Sequence, residues 1–119
     1  MREIKFRIWD IKSKRWAKMF NIDLLDIPKF DIAEINQYTG LKDKNNKEIY
    51  EGDILSDGND EKPYKVIFKN GSFRAEFEGD FEEYSFDLSD VVLQGCEVVG
   101  NIYENPELIK EWDNGNRFK

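Results

Sequence analysis

Tyr50, Glu51 and Asp53 crowd around Gly52 in a chain that has no histidine at all. A pair of neighbouring carboxylates performs acid–base chemistry when its two pKa values are driven apart. The same carboxylates serve equally well to hold a tight turn, by accepting hydrogen bonds from backbone amides. The second reading prevails here, because the glycine and the aromatics around the pair suit packing. The missing histidine removes the usual general base and the commonest metal ligand. One cysteine, Cys96, cannot build a zinc site, and on an apolar strand pattern it reads as a packed thiol. Asp43-Lys44-Asn45 opens like a calcium loop. It fails as one, since Lys47, Glu48 and Ile54 fall where a ligand, the glycine and the bidentate Glu belong. No glycine-rich phosphate loop follows a strand. No catalytic residue, no metal site and no cofactor are expected, so the chain reads as a non-enzyme.

The basic N-terminal residues offer another kind of chemistry. Arg7, Trp9, Lys12, Lys14, Arg15, Trp16 and Lys18 alternate cations with aromatics, as a platform for nucleic-acid phosphates and bases would. The plainer reading is a solvated strand face with core tryptophans, and the net charge of −7 opposes tight binding to a phosphate backbone. The charge is also unevenly spread. Residues 1–20 hold seven Lys/Arg and two acids, a balance of +5, whereas residues 76–90 hold seven acids and no base. Such complementary segments would set the register of two copies meeting face to face. An acidic, aromatic segment can also imitate nucleic acid toward a host protein, although most acidic loops are simply solvated.

Elements that alternate in polarity must position these groups. Ile4, Phe6 and Ile8 alternate with Lys5, Arg7 and Trp9, which predicts a half-buried strand, returning as a hairpin through Arg15–Phe20. Leu24, Leu25 and Ile27 before Pro28 predict a helical turn or an apolar loop. Asp31–Thr39 reads as extended with Ile35, and Ala33 as a second candidate, facing inward. Gln37–Ile54 reads as two short strands joined by a polar turn at Lys42–Lys47. Asn70-Gly71 predicts a two-residue type I′ hairpin that pairs Lys69 with Ser72, Phe68 with Phe73, Val66 with Ala75 and Tyr64 with Phe77. Tyr84, Phe86 and Leu88 alternate, Val91–Leu93 is a short apolar run, and Gly95–Tyr103 has apolar residues on both faces, as a central strand would. Asn105-Pro106-Glu107 predicts a helix start with Asn105 as its cap.

At 119 residues the chain is read as one domain with one core. Nine Phe, five Tyr and three Trp offset a high charge content, since each aromatic buries a large area. No apolar run is long enough to cross a bilayer. With no signal segment after Met1 and a single cysteine, the expected location is the cytoplasm.

Three stretches resemble the YopX family of phage and prophage proteins. They are Met1–Asp10 (MREIKFRIWD), Gln37–Ile54 (QYTGLKDKNNKEIYEGDI) and Gly95–Leu108 (GCEVVGNIYENPEL). They occur in the family's order and span the chain nearly end to end. Asn46 stands where the family typically has glycine, and Ile8 where alanine is common. The resemblance implies a mostly β domain encoded by phages or prophages of Gram-positive hosts, and it brings no established activity.

The fold expected is mainly β, a small bent barrel-like antiparallel sheet of six to eight strands with a short C-terminal helix. Tyr38, Gly40, Tyr50, Glu51, Gly52 and Asp53 are its structural motif. The expected function is a phage interaction or assembly protein working as a homo-oligomer, with a host or phage protein as a further partner and no membrane contact. The alternative is a nucleic-acid-binding accessory protein that uses the basic hairpin.

Overall fold

A computed structural model describes residues 4–17, 33–58, 63–78 and 83–109. The expected apolar segment around Leu24–Ile27, Lys18, and the continuation of the last helix to Trp112 lie outside the described residues.

The described chain is mainly strand. In order it runs β1 (Phe6–Asp10), β2 (Arg15–Ala17), β3 (Ala33–Lys42), β4 (Glu48–Tyr50), β5 (Asp53–Ser56), β6 (Tyr64–Lys69), β7 (Ser72–Glu78), β8 (Glu83–Asp87), α1 (Leu88–Gln94) and β9 (Glu97–Asn101). All pairings are antiparallel. The strands divide between a four-stranded sheet, β2-β1-β3-β4, and a five-stranded sheet, β8-β7-β6-β5-β9, one of them curved into a half-barrel. The core lies against the five-stranded sheet. Leu55, Val66, Ala75 and Cys96 pack there with Leu88 and Val91 of α1 and with Ile49, which β4 contributes from the other sheet.

The β6–β7 hairpin has the register that its sequence dictates. Val66 lies opposite Ala75, Phe68 opposite Phe73, and Lys69 opposite Ser72. Asn70 (φ 54) and Gly71 (φ 83) both adopt the left-handed conformation that a type I′ turn requires. Lys65 and Glu76 pair across the strands at 4.0 Å, and Tyr64 meets Phe77 edge to face with ring centroids 5.4 Å apart.

Four expectations are corrected. Leu88 does not continue the strand alternation of Tyr84 and Phe86 but opens helix α1, which also takes in the apolar run Val91–Leu93. Leu88 and Val91, three residues apart, share its buried face, and Gly95 (φ 96) ends it by donating its N–H to the Val92 carbonyl. β1 is covered on both faces, because Ile8 and Trp9 are both buried. On β3 it is Asn36 that points inward, while Ile35 is exposed. β9 ends its sheet rather than running through its centre. Its two faces are not equally covered, since Val98 packs against the core while Val99 is exposed; a bulge interrupts its pairing between Ile54 and Leu55, and another segment covers its outer edge.

That cover is the polar turn between β3 and β4. Asp43, buried to 6 % exposure, accepts the backbone N–H groups of Asn45 (2.8 Å) and Lys47 (2.9 Å) on Oδ1, and that of Val98 in β9 (2.8 Å) on Oδ2. Lys44 N–H donates to the Cys96 carbonyl at 3.0 Å. Asn46 closes the turn at φ 66. Burial alone would raise the Asp43 pKa. The amides of Val98, Lys47 and Asn45 outweigh it and hold the carboxyl below its usual value of 3.8.

Two outcomes follow from these turns. Gly71→Val forces a β-branched residue into the left-handed region, where an added Cβ meets no neighbour, so its cost is conformational, about 1–2 kcal/mol by urea denaturation. A carboxyl with a lowered native pKa stabilises the fold above its unfolded value and loses that stabilisation as pH falls through the native one. Acid denaturation below about pH 4 is therefore shallower in Asp43→Asn, which is also less stable at pH 7 by about 1–3 kcal/mol.

Candidate functional site

Arg7 on β1 reaches out of the four-stranded sheet to Asp53, the first residue of β5 in the five-stranded sheet. Its Nη2 lies 2.9 Å from Asp53 Oδ1. Nη2 also donates to the Glu51 carbonyl, and Nε donates to Asn36 Oδ1, each at 3.2 Å. The guanidinium carbon sits 4.3 Å from the Trp16 ring centroid and 4.9 Å from that of Tyr50, so aromatic rings flank the cation. Asp53, only 2 % exposed, takes the Tyr50 N–H on Oδ2 at 2.7 Å. Burial pushes the Asp53 carboxyl above its usual value, and Arg7 and the Tyr50 amide pull against that shift without cancelling it.

Gly52 lets the chain turn between Tyr50 and Asp53. It has φ 89, and a Cβ there would meet Asn36 Oδ1 at 3.3 Å. Its N–H donates to the Val66 carbonyl and its carbonyl accepts from Ile102 N–H, both at 2.9 Å. One glycine thus ties the motif to both the β6 strand and the segment after β9.

That segment, Asn101–Asn105, completes the site. Asn101 Oδ1 accepts the backbone N–H groups of Tyr103 (3.0 Å) and Glu104 (2.8 Å), an Asx turn that aims both side chains at β1 and β2. Tyr103 stacks on Trp9 with centroids 5.6 Å apart and meets Trp16 edge to face. Its hydroxyl accepts from Asn36 Nδ2 at 2.9 Å. Glu104 accepts from Trp16 Nε1 (2.7 Å) and Asn101 Nδ2 (2.9 Å), and these two donors lower its pKa, Asn101 the more. Asn105 does not use its side chain to cap the helix that begins at 107. It turns Oδ1 back to accept Asn101 N–H at 3.2 Å. Gly100 makes this possible, since any Cβ there would lie 2.5 Å from Asn105 Oδ1.

Between the two sheets these groups enclose a cleft of ≈ 520 Å³, lined by Arg7, Trp16, Lys47, Glu48, Tyr50, Asp53, Glu104, Asn105 and residues 98–101 of β9. The cations and aromatics expected to meet nucleic acid therefore part company. Trp9 is buried, and Arg7 is enclosed by Asp53, Trp16 and Tyr50. Lys12, Lys14 and Arg15 are exposed around the β1–β2 turn. Of the motif residues, Tyr38 is buried against Tyr50, with ring centroids 5.4 Å apart, and Gly40 (φ 86) lies on the exposed side of β3. Glu51 joins the site through its carbonyl rather than its carboxylate. No group of three or more His, Cys, Asp or Glu able to hold a metal occurs among the described residues. Cys96 is buried, and burial pushes its thiol up to about 11, which makes it a poor nucleophile.

Sequence reasoning missed Asn36, Asn101 and Glu104, and gave Asn105 a helix cap in place of its bond to Asn101. Their signal lay in the Asn-x-Tyr-Glu-Asn-Pro run itself, whose spaced asparagines predict Asx turns.

A family profile described as YopX protein matches residues 11–110 of this chain. The crystal structure of protein EF1440 from Enterococcus faecalis is similar, with 27 % identity and a TM-score of 0.53, over 92 % of this chain and 99 % of that one. No curated protein matches.

Removing Arg7 leaves a buried carboxylate with no cation. Arg7→Met should cost about 3 kcal/mol or more at pH 7 in denaturant unfolding. The Asp53 pKa, already raised, rises further without Arg7. Stability is then fullest below the unfolded value and is lost as pH climbs through the native one. The deficit of Arg7→Met should accordingly narrow on titration from pH 7 toward pH 4.

Proposed function

The chain belongs to the YopX family, and from that premise we propose that it is a non-enzymatic interaction protein, phage- or prophage-encoded, that assembles with copies of itself in the host cytoplasm. One observation carries this reading: the strands that end the two sheets bear opposite charge. β2 ends one sheet, and the turn leading into it exposes Lys12, Lys14 and Arg15. β8 ends the other sheet at Asp87, which is exposed although paired with Arg74 at 3.1 Å, and runs into α1, where Asp90 is exposed. The basic strand of one copy meeting the acidic strand of the next would extend the sheets from one molecule to another.

Exposed apolar side chains on the five-stranded sheet and α1 support an assembly role. Leu93 is 84 % exposed and Phe68 53 % exposed. Phe86 is also exposed, and it lines a smaller cleft of ≈ 310 Å³ together with Tyr64, Val91 and Leu93. The family relationship and the likeness to EF1440 add no reaction that would compete with this reading. Among the described residues no helix is long and apolar enough to cross a membrane.

The nucleic-acid reading keeps Lys12, Lys14 and Arg15 as exposed cations. It loses Trp9, which is buried, and Trp16 lies over Arg7 facing the cleft rather than beside those cations. Charge complementarity between copies is the better use of the same residues.

The contact is electrostatic, so it weakens as salt screens it within about 8 Å at physiological ionic strength. Light scattering should find oligomers at low salt that dissociate at high salt. Lys12→Glu, Lys14→Glu and Arg15→Glu together should abolish them, and adding Asp87→Lys and Asp90→Lys should partly restore them. A monomer at every protein concentration, or an oligomer indifferent to salt and to charge reversal, would sink the proposal.

A further inference from the structure

We propose that the cleft between the two sheets binds a small carboxylic acid carrying an apolar or aromatic body. The argument rests on which hydrogen-bonding groups there are already taken. Each of the three carboxylates lining the cleft accepts from this chain: Glu48 from Lys5, Asp53 from Arg7 and the Tyr50 amide, and Glu104 from Trp16 and Asn101. Both bonds to Glu104 fall on Oε1, so its Oε2 has no partner among the described residues, and the rest of the capacity left over is on the donor side. Arg7 uses Nε and Nη2, and its Nη1 has no partner among the described residues. Asn105 commits Oδ1 to Asn101, which leaves Nδ2 without a described partner. The exposed Lys47 ammonium has no described ion pair, and it lies close enough to Asp53 and Glu104 to favour their charged forms.

A guanidinium edge, an ammonium and an amide N–H₂ around one opening call for a ligand end made of acceptor oxygens with negative charge. The rest of the cleft asks for something apolar. Trp16 and Tyr50 form aromatic wall on either side of Arg7, and Val98, the exposed Val99 and the bare Gly100 form the side made by β9. A volume of ≈ 520 Å³ is in the range of small-molecule sites and exceeds what a bare inorganic anion fills. The site is also pre-formed, because the Asp53 carboxylate and the two rings fix the guanidinium before any ligand arrives.

The site is independent of assembly, and its test reads it at a single atom. N-acetyl-phenylalanine is titrated into the full chain at high salt and followed by the Trp16 Nε1–H resonance in NMR, assigned through Trp16→Phe. The acid should shift this resonance saturably in the millimolar range, and N-acetyl-phenylalanine amide at the same concentration should not. Lys47→Gln keeps the backbone N–H that Asp43 needs, and should weaken binding about tenfold. No saturable shift with the acid, equal shifts with acid and amide, inorganic phosphate shifting the resonance as strongly as the acid, or undiminished binding to Lys47→Gln would each overturn the assignment.

Discussion

A carboxylate with almost no access to water must have a cation beside it or lose its charge, and Asp53 is such a carboxylate. Its partner, Arg7, comes from the other sheet. Everything near the junction follows from that demand. Asn36 and the Glu51 carbonyl take further guanidinium N–H groups, Trp16 and Tyr50 cover its faces, and Gly52 supplies the turn that brings Tyr50 N–H onto Asp53. A buried ion pair adds little net stability compared with apolar groups of the same shape, because both partners must be desolvated. What it contributes here is specificity. The two sheets can be joined in one relative placement, the one that puts Nη2 against Oδ1.

The hydrophobic core cannot supply that specificity. Its members come mainly from the five-stranded sheet and α1, with Ile49 as the deeply buried residue from the four-stranded sheet. The rest of the junction is made by aromatic rings with polar tips. Trp9 stacks on Tyr103, Trp16 donates its N–H to Glu104 and the Tyr103 hydroxyl accepts from Asn36, and each ring buries area while its polar atom fixes an orientation.

Local features of this fold were legible in the sequence because local forces decide them. Asn70-Gly71 can close only a narrow range of turns, so the β6–β7 register followed directly. Gly52 with Asp53 announced a turn held by a carboxylate, and the three stretches that resemble the YopX family turn out to meet at one cleft. The misreadings came where tertiary contacts override a local pattern. Leu88 and Val91 fit either a strand or one face of a short helix, and seven residues are too few for periodicity to choose between them. The two apolar faces of β9 suggested a central strand. Its outer edge is instead covered by Asp43 and Asn105, 55 and 4 residues from the atoms they bind. Arg7 and Trp16 looked like surface groups because nothing nearby in sequence shows that Asp53 and Glu104 will come to meet them.

The Trp16–Glu104 hydrogen bond spans 88 residues, and that span governs the order in which the protein can be completed during synthesis. β6 and β7 can pair as soon as their turn has left the ribosome, since their partners are adjacent. Trp9 and Trp16 can meet each other early, but they must wait for Tyr103 and for Glu104, made 88 residues after Trp16, before the rest of their partners are present. Contacts this distant carry a loop-closure cost that slows folding. The tryptophan-bearing hairpin is therefore the last part of the junction to be sealed.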